Sequence, residues 1–340
     1  MQTMRAYIVP SRSKGIEGLR SVVRPSPRPE QGQVLIRVRA ASLNYRDQGV
    51  VAGTYGGGTP AGDLIPLSDG AGEITAVGPG VTAFKPGDRV AGLFFQAPPT
   101  GPPFGARAAL GSPLDGMLAE EVVLYEDGVV PIPAGYSFEE AACLPCAGVT
   151  AWHALMRAGR SVKAGDTVLV LGTGGVSVLA LLLARAAGAR VIATSSSDAK
   201  IERVKALGAS DGVNYRRTSD WEKEVLRITG GRGVDCVVEV GGAGTLNRSI
   251  AALASGGKIV LIGVLAGHGG DVNPYMLMGK HGNLHGIFVG DREMFVEMSR
   301  ALELARIKPV IDKIFWFDDA VAAYQHHKSG NFLGKVVIAI

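Results

Sequence analysis

The run Val168-Leu169-Val170-Leu171-Gly172-Thr173-Gly174-Gly175-Val176-Ser177 constrains this chain more than any other segment. Its apolar start predicts a strand buried on both faces, as strands of a parallel sheet are. The glycines that follow allow a tight turn and let another molecule approach bare backbone. An apolar helix over residues 176–187 comes next and stops at Gly188. A strand, a glycine turn and a helix in this order leave N–H groups at the positive end of a helix, where a phosphate binds well. Gly172 is expected to make the turn, Gly174 to admit a pyrophosphate, and Gly175 and Val176 to donate N–H groups to it. Ser177 stands where a third small residue lets helix and strand meet. The rival reading is a plain strand–turn–helix of another α/β fold. The further strand some twenty residues on favours the dinucleotide site.

That second strand, residues 190–194, ends where such a site reads the adenosine ribose. A site for NAD carries Asp or Glu there, accepting from the ribose hydroxyls. This chain reads Thr194-Ser195-Ser196-Ser197-Asp198-Ala199-Lys200, and the acid position falls on Ser195. Without the carboxylate a 2′-phosphate is not repelled. Ser195 and Ser196 can donate to it, and Lys200 adds a charge one helical turn on. Tyr215, Arg216 and Arg217 follow the third strand and can close the same pocket. The serines also suit a helix cap, with Lys200 a solvated charge, and both roles are compatible. The expected cofactor is NADP(H) rather than NAD(H).

Further strands are expected at 213–215, 236–240, 258–262 and 284–289, with helices at 138–157, 198–207, 221–229 and 245–253. This alternation implies a parallel sheet covered on both faces. Earlier in the chain, short apolar alternations at 34–38, 72–77 and 89–93 are cut by Gly and Pro, as in an antiparallel β domain. Residues 96–113 read as a long surface loop. A helix over Arg292–Ala305 and a strand at 335–340 end the chain, the strand returning to the first domain. The expected fold class is α/β, with a β domain at 1–132 and 291–340 and a dinucleotide-binding domain at 133–290.

A chain of 340 residues, 46% hydrophobic and 19% charged, suits two cores better than one. Its net charge of +4 is spread without a basic run, so neither nucleic acid nor an anionic membrane is an expected partner. Three cysteines make no disulfide framework and the opening residues carry no secretory signal, so the expected compartment is the cytoplasm. The most apolar stretch, 168–184, is broken by the glycine turn and too short to span a bilayer. Cys143-Leu144-Pro145-Cys146 is a CxxC pair that no second pair completes, and two small buried thiols are expected. His281 and His285 have helical spacing, but Gly282 and Gly286 point to loop and strand. His153 reads as a satisfied core residue and His326-His327 as a solvated helix end.

Several segments together resemble the medium-chain dehydrogenase/reductase superfamily, in its zinc-free, quinone-oxidoreductase-like branch. They include Ser42-Leu43-Asn44-Tyr45-Arg46-Asp47, Asp69-Gly70-Ala71-Gly72-Glu73, Lys85-Pro86-Gly87-Asp88-Arg89-Val90, Leu144-Pro145-Cys146-Ala147-Gly148-Val149-Thr150-Ala151, Val213-Asn214-Tyr215 and Gly334-Lys335-Val336-Val337. The resemblance covers nearly the whole chain. It implies a GroES-like β domain, a Rossmann domain and an active site in a cleft between them. In zinc-dependent members a Cys, a His-Glu pair and a second Cys hold the catalytic metal. Those positions are Asn44, Ser68-Asp69 and Cys146 here, and one thiol with one carboxylate falls short of the three protein ligands a catalytic zinc usually has. The lobe that holds a structural zinc with four cysteines would fall between 96 and 113, where this chain has no cysteine. No metal is expected.

The resemblance also implies roles for individual residues. Asn44, Tyr45 and Asp47 would lie near the nicotinamide ribose and substrate, Thr150 against the nicotinamide ring, and Lys335 near the cofactor. Backbone at Gly263, Val264, Leu265, Phe288 and Val289 would hold the carboxamide, and Tyr55 would face the substrate. Asn44, Asp47 and Tyr55 form the expected catalytic set. Plainer readings remain open: Asn44 and Asp47 closing a turn, Tyr55 walling a pocket. Without a metal to polarise a ketone, an enone or quinone is the easier hydride acceptor, because its negative charge spreads to a distant oxygen. The expected function is therefore NADP(H)-dependent, zinc-independent reduction of such a small electrophile by a homodimer. The alternatives are an alcohol dehydrogenase or carbonyl reductase of the same superfamily, and an NADPH-binding protein without turnover.

Overall fold

A computed structural model describes residues 2–11, 13, 15–55, 62–96, 108–267 and 269–340. Most of the loop expected at 96–113, namely 97–107, lies outside the described residues. The chain forms two compact units. One comprises Met1–Ala147, Asp291–Glu303 and Ile311–Ile340, the other Gly148–Gly290 and Leu304–Val310.

The first unit is built on a seven-stranded sheet. Gln33–Ser42 lies at its centre, antiparallel to Asp69–Val77, to Glu121–Tyr125 and to the returning strand Lys335–Ala339. Ile36, Ile74, Met117, Leu118, Val336 and Ile338 are buried in one core. The strand Ile311–Trp316 and the helix Ala320–Lys328 are not evident from periodicity. That helix corrects the expectation for His326-His327. His327 is buried and stacked on Phe332 with ring centroids 4.8 Å apart, and burial lowers its pKa to about 3. His326 Nε2 lies 3.1 Å from Asp312 Oδ2.

Residues 133–147, expected in the second domain, belong to the first unit. Packing explains this. The helix Phe138–Ala142 rests on strands Gln33–Ser42 and Asp69–Val77, and Ser42 Oγ donates to Ala142 O at 2.8 Å. The single helix expected over 138–157 is broken. Phe138–Ala142 is followed by π-helical turns at Leu144–Gly148 and His153–Arg157 on either side of Val149–Trp152. Pro145 has no N–H to give, which suits a widened turn there.

The second unit holds a six-stranded sheet, all parallel: β1 (Thr167–Val170), β2 (Arg190–Ser195), β3 (Asp211–Asn214), β4 (Val234–Glu239), β5 (Leu253–Leu261) and β6 (Asn283–Gly286). Their spatial order is β3-β2-β1-β4-β5-β6. Every residue of β1 and β4 is buried, as the apolar stretches Val168–Val170 and Cys236–Val238 require. The order reverses between β1 and β4, and a crevice beyond the carboxyl ends of the strands at such a point is where ligands bind. Among the described residues no helix is long and apolar enough to cross a membrane.

Two local features lead to measurable consequences. A Cβ on Gly72 would fall on the carbonyl of Arg37 in the neighbouring strand, whereas Gly87, at φ 93°, has nothing within 4 Å of its Cβ position. Gly72→Ala is expected to cost about 2–3 kcal/mol by overpacking, and Gly87→Ala about 1–2 kcal/mol from backbone conformation alone; denaturant melts compare them. Asp47, fully buried, accepts from the Asn44 N–H at 2.7 Å and opens the helix Tyr45–Ala52. Burial pushes its carboxyl up to about 6, against the pull of Arg46 and of the Asn44 N–H. A raised pKa means that folding favours the protonated form, so its contribution is full below about pH 4 and lost as pH rises through about 6. Asp47→Asn keeps the acceptor and removes the charge. It is expected to raise the melting temperature at pH 8 and leave it unchanged at pH 4.

Candidate active site

The glycine turn lies at the carboxyl end of β1. Gly172 has φ 73°, and nothing lies within 4 Å of where a side chain at Gly172 or Gly174 would begin. Internal packing therefore does not require a missing side chain at Gly174; the space stays open in front of the helix Gly175–Ala186. No side chain caps the first N–H groups of that helix. Ser177 serves the packing instead. It is buried, and its Oγ donates to Leu171 O at 2.6 Å, tying helix to strand. An open cradle of bare backbone at a helix N-terminus fits a dinucleotide pyrophosphate.

At the end of β2, the cap reading holds for Ser197, whose Oγ accepts from the Lys200 N–H at 3.4 Å. Ser195, expected to meet a phosphate, is buried, and its Oγ accepts from the Ser197 N–H at 3.2 Å. Ser196 and Lys200 are half-buried and Tyr215 is exposed. Arg217 pairs with Asp198 at 2.6 Å, and Asn214 Nδ2 donates to the same carboxylate at 2.7 Å. The only acidic side chain in the run 194–200 is thus paired with a cation and an amide.

The residues expected near the nicotinamide follow the later strands. A Cβ on Gly263 would lie 2.6 Å from Val240 O, so only glycine allows this approach. Leu265 N–H donates to Val240 O at 3.1 Å, and Val264 and Leu265 are exposed. Phe288 is exposed, while Val289 is buried at φ 53°. A β-branched residue there is strained, and strain of this kind gathers at ligand sites. Val289 O lies 2.6 Å from His153 Nδ1, which must carry the proton because a carbonyl only accepts. His153 is thus a satisfied residue, as expected. Thr150 is buried in Val149–Trp152.

Two residues in this unit escape a reading of the sequence. Glu239 ends β4 with no exposure, accepting from the Gly241 and Gly242 N–H groups (2.7 and 3.1 Å) and from Thr245 Oγ1 and Ser249 Oγ (2.7 and 2.5 Å). It fixes the turn beside the topological switch point. Lys258, also buried, donates to the carbonyls of Ala154, Leu155 and Ala158. Burial lowers its pKa. The signal for both is a charge set among apolar strand residues.

In the first unit the structure gathers Asn44, Ser68, Asp69, Cys146 and Lys335. Lys335 is buried, and its ammonium donates to Leu43 O at 2.7 Å and Asn44 Oδ1 at 2.6 Å, with Asp69 Oδ2 at 3.7 Å. Ser68 Oγ donates to Asp69 Oδ1 at 2.8 Å, and the Cys146 N–H donates to Asp69 Oδ2 at 3.1 Å. Asn44 Nδ2 makes a long bond of 3.4 Å to Ser68 Oγ. This set does not fit a zinc ion. Both Asp69 oxygens accept from protein groups, burial raises the Cys146 thiol far above its usual pKa, and a fixed ammonium holds the Asn44 oxygen. A divalent cation would meet the like charge of the Lys335 ammonium and an amide oxygen that this ammonium already holds. Among the described residues no three of His, Cys, Asp and Glu form a group able to hold a metal.

The remaining candidates divide. Tyr45 is exposed. Asp47, expected in the catalytic set, is instead sealed inside and spent on capping. Tyr55 is half-buried, its ring under the Arg46 guanidinium at 4.6 Å, and Arg46 also donates to Leu110 O and Ser112 O. Cys143 is buried and donates to Glu139 O at 3.2 Å; burial raises its pKa, and Cys146 is half-buried.

Comparison with known proteins agrees with this arrangement. Residues 30–134 match the alcohol dehydrogenase GroES-like domain, and residues 175–304 match the zinc-binding dehydrogenase family. A zinc-type alcohol dehydrogenase-like protein of Schizosaccharomyces pombe is 43% identical, covering 98% of this chain and 99% of its own. A quinone oxidoreductase of Rattus norvegicus is 30% identical over 92% of this chain and 91% of its own. A solved structure described as an NAD-dependent alcohol dehydrogenase is 34% identical, with a TM-score of 0.91 over 99% of this chain and 100% of its own. With a GroES-like unit, a parallel nucleotide-binding sheet and relatives along its whole length, the chain belongs to the medium-chain dehydrogenase/reductase superfamily of oxidoreductases, and its cofactor is a nicotinamide dinucleotide.

Proposed function

We propose that this chain is an NADP(H)-dependent reductase acting on a quinone or an α,β-unsaturated carbonyl compound without zinc. The observation that carries the reading is the Asn44 cluster. It offers a substrate an amide N–H, while its potential metal donors are already bound by protein groups. Reducing a simple ketone concentrates charge on one oxygen and calls for a strong Lewis acid. A conjugated acceptor spreads that charge, and a well-placed N–H can stabilise it.

Gly174, Gly175 and Val176 would hold the pyrophosphate, and Ser196, Lys200 and Tyr215 the adenosine phosphate. Thr150 and the backbone at 263–265 and 288–289 would hold the nicotinamide end. A reduced nicotinamide bound there supplies the hydride, which this chain cannot supply itself. The protein's part is to orient the acceptor and stabilise its oxygen through Asn44. Water or the Tyr55 hydroxyl then returns a proton to the reduced product.

The preference for NADP(H) rests on the absent acid at Ser195 and the cation at Lys200, although one solved relative is named for NAD. Purified protein is expected to oxidise NADPH with quinones or enones, unaffected by chelator, and to leave ethanol and simple ketones untouched. The reverse pattern would instead favour an alcohol dehydrogenase. Lys200→Glu should weaken NADPH binding by about tenfold or more, roughly 1.4 kcal/mol, and NADH binding much less.

We also propose a homodimer. Among the described residues β6 is paired on one side only, and it carries exposed Leu284, with exposed Phe288 just beyond it and Tyr275 and Met278 on the helix Pro274–Gly279. Apolar strand edges are normally covered. Light scattering should give twice the chain mass of 35.3 kDa. Leu284→Asp should shift the protein toward monomer, and a wild-type monomer at micromolar concentration would remove the idea.

A further inference from the structure

The Lys335 ammonium is the feature of the Asn44 cluster that the proposed chemistry leaves unused. It is 3% exposed, so its charge is not there for solubility. An ammonium has donors only, so the Asn44 side-chain atom 2.6 Å from Nζ has to be the oxygen. The amide orientation is then fixed. Oδ1 faces the buried lysine, and Nδ2 faces away with its long bond to Ser68 Oγ. Asn44 is half-buried, unlike Lys335, Ser68 and Asp69, so of the side chains that the ammonium touches its amide is the one within a ligand's reach. A cation on the carbonyl side of an amide draws charge from its nitrogen and strengthens the N–H as a donor. Asp69 stands 3.7 Å from the ammonium and is anchored by Ser68 and Cys146, which keeps the buried cation balanced.

We propose that Lys335 is a positioning residue that locks and polarises the Asn44 amide, so that Asn44 Nδ2–H stabilises the oxygen of the acceptor as it takes the hydride. The positions that hold a metal in zinc-dependent members thereby surround a covalently tethered cation, which acts through an amide rather than on the substrate itself. Lys335 does not touch substrate, and no proton leaves it. The hydride with its electron pair would come from the reduced cofactor, and a proton from water or Tyr55 completes the reduction. The inference rests on the enone or quinone reading for its kinetic consequence, but not for its structural one.

Three variants test it: Lys335→Met, Asn44→Asp and the double variant. Asn44→Asp keeps an acceptor for the ammonium and removes the N–H, so it reports even if Lys335→Met fails to fold. Each single variant is expected to lower kcat with an enone or quinone by about a hundredfold, in the range of losing one oxyanion donor. KM and the Kd for NADPH, read by fluorescence quenching, should change less than about threefold, a shift of under 1 kcal/mol. The double variant should be no slower than the worse single one, because both remove the same interaction. Losses that multiply, unchanged turnover in either single variant, or a loss confined to NADPH binding would overturn the proposal. A second readout needs no turnover. With 15N-asparagine the six side-chain amides are few enough to resolve, and Asn44→Asp identifies the Asn44 pair. Lys335→Arg should retain its shifted, slowly rotating resonances, and Lys335→Met should lose them. An Asn44 resonance indifferent to residue 335 would sink the inference, whereas wild-type protein inert toward every enone and quinone would sink only the proposed substrate class.

Discussion

A carboxylate taken out of water has to find donors, and each unit of this protein settles its site around one that is wholly buried. Asp69 gathers the Ser68 hydroxyl, the Cys146 N–H and the Lys335 ammonium. Glu239 gathers two glycine N–H groups and the hydroxyls of Thr245 and Ser249. Leaving either without its partners would cost several hydrogen bonds to a charge at once, so the surrounding backbone is pinned. In the first unit the pinned group is the Asn44 amide. In the second it is the turn after β4, beside the glycine turn after β1. Both sites thus have their geometry set from beneath, by groups a ligand need never touch.

Strands Gln33–Ser42, Asp69–Val77 and Lys335–Ala339 pair side by side in one sheet, which sets the Lys335 ammonium 3.7 Å from Asp69. The positive charge that faces Asp69 here is that ammonium. In this chain the Asn44 amide oxygen is held by that ammonium, an arrangement that the proposed metal-free reading uses for directed hydrogen bonding.

Sequence patterning is most informative where one physical demand dominates. The apolar stretches within β1 and β4 announce a parallel sheet, and the glycine turn announces an open cradle, because side-chain period and missing Cβ atoms are local properties. It is least informative where a residue's role depends on a distant neighbour. The resemblance puts Asp47 in the catalytic set and the residues alone allow a turn-closing role; at 0% exposure it accepts from the Asn44 N–H and caps a helix. His327 looks solvated until the helix Ala320–Lys328 turns it onto Phe332. The strand Ile311–Trp316 escapes notice because its burial alternates poorly, as suits a sheet edge.

By itself the amino-acid order determined the fold class, the strand–glycine turn–helix and the absence of an acid at Ser195, while the positions of zinc-type ligands at Asn44 and Ser68 came from the family resemblance. Each is a matter of which residue stands at one position in a local pattern. Only the tertiary structure decided that residues 133–147 join the first unit, that Glu239 and Lys258 are buried anchors, and that Lys335 points at Asn44. Those outcomes depend on contacts between residues up to 291 positions apart, and no local period carries information across such a distance.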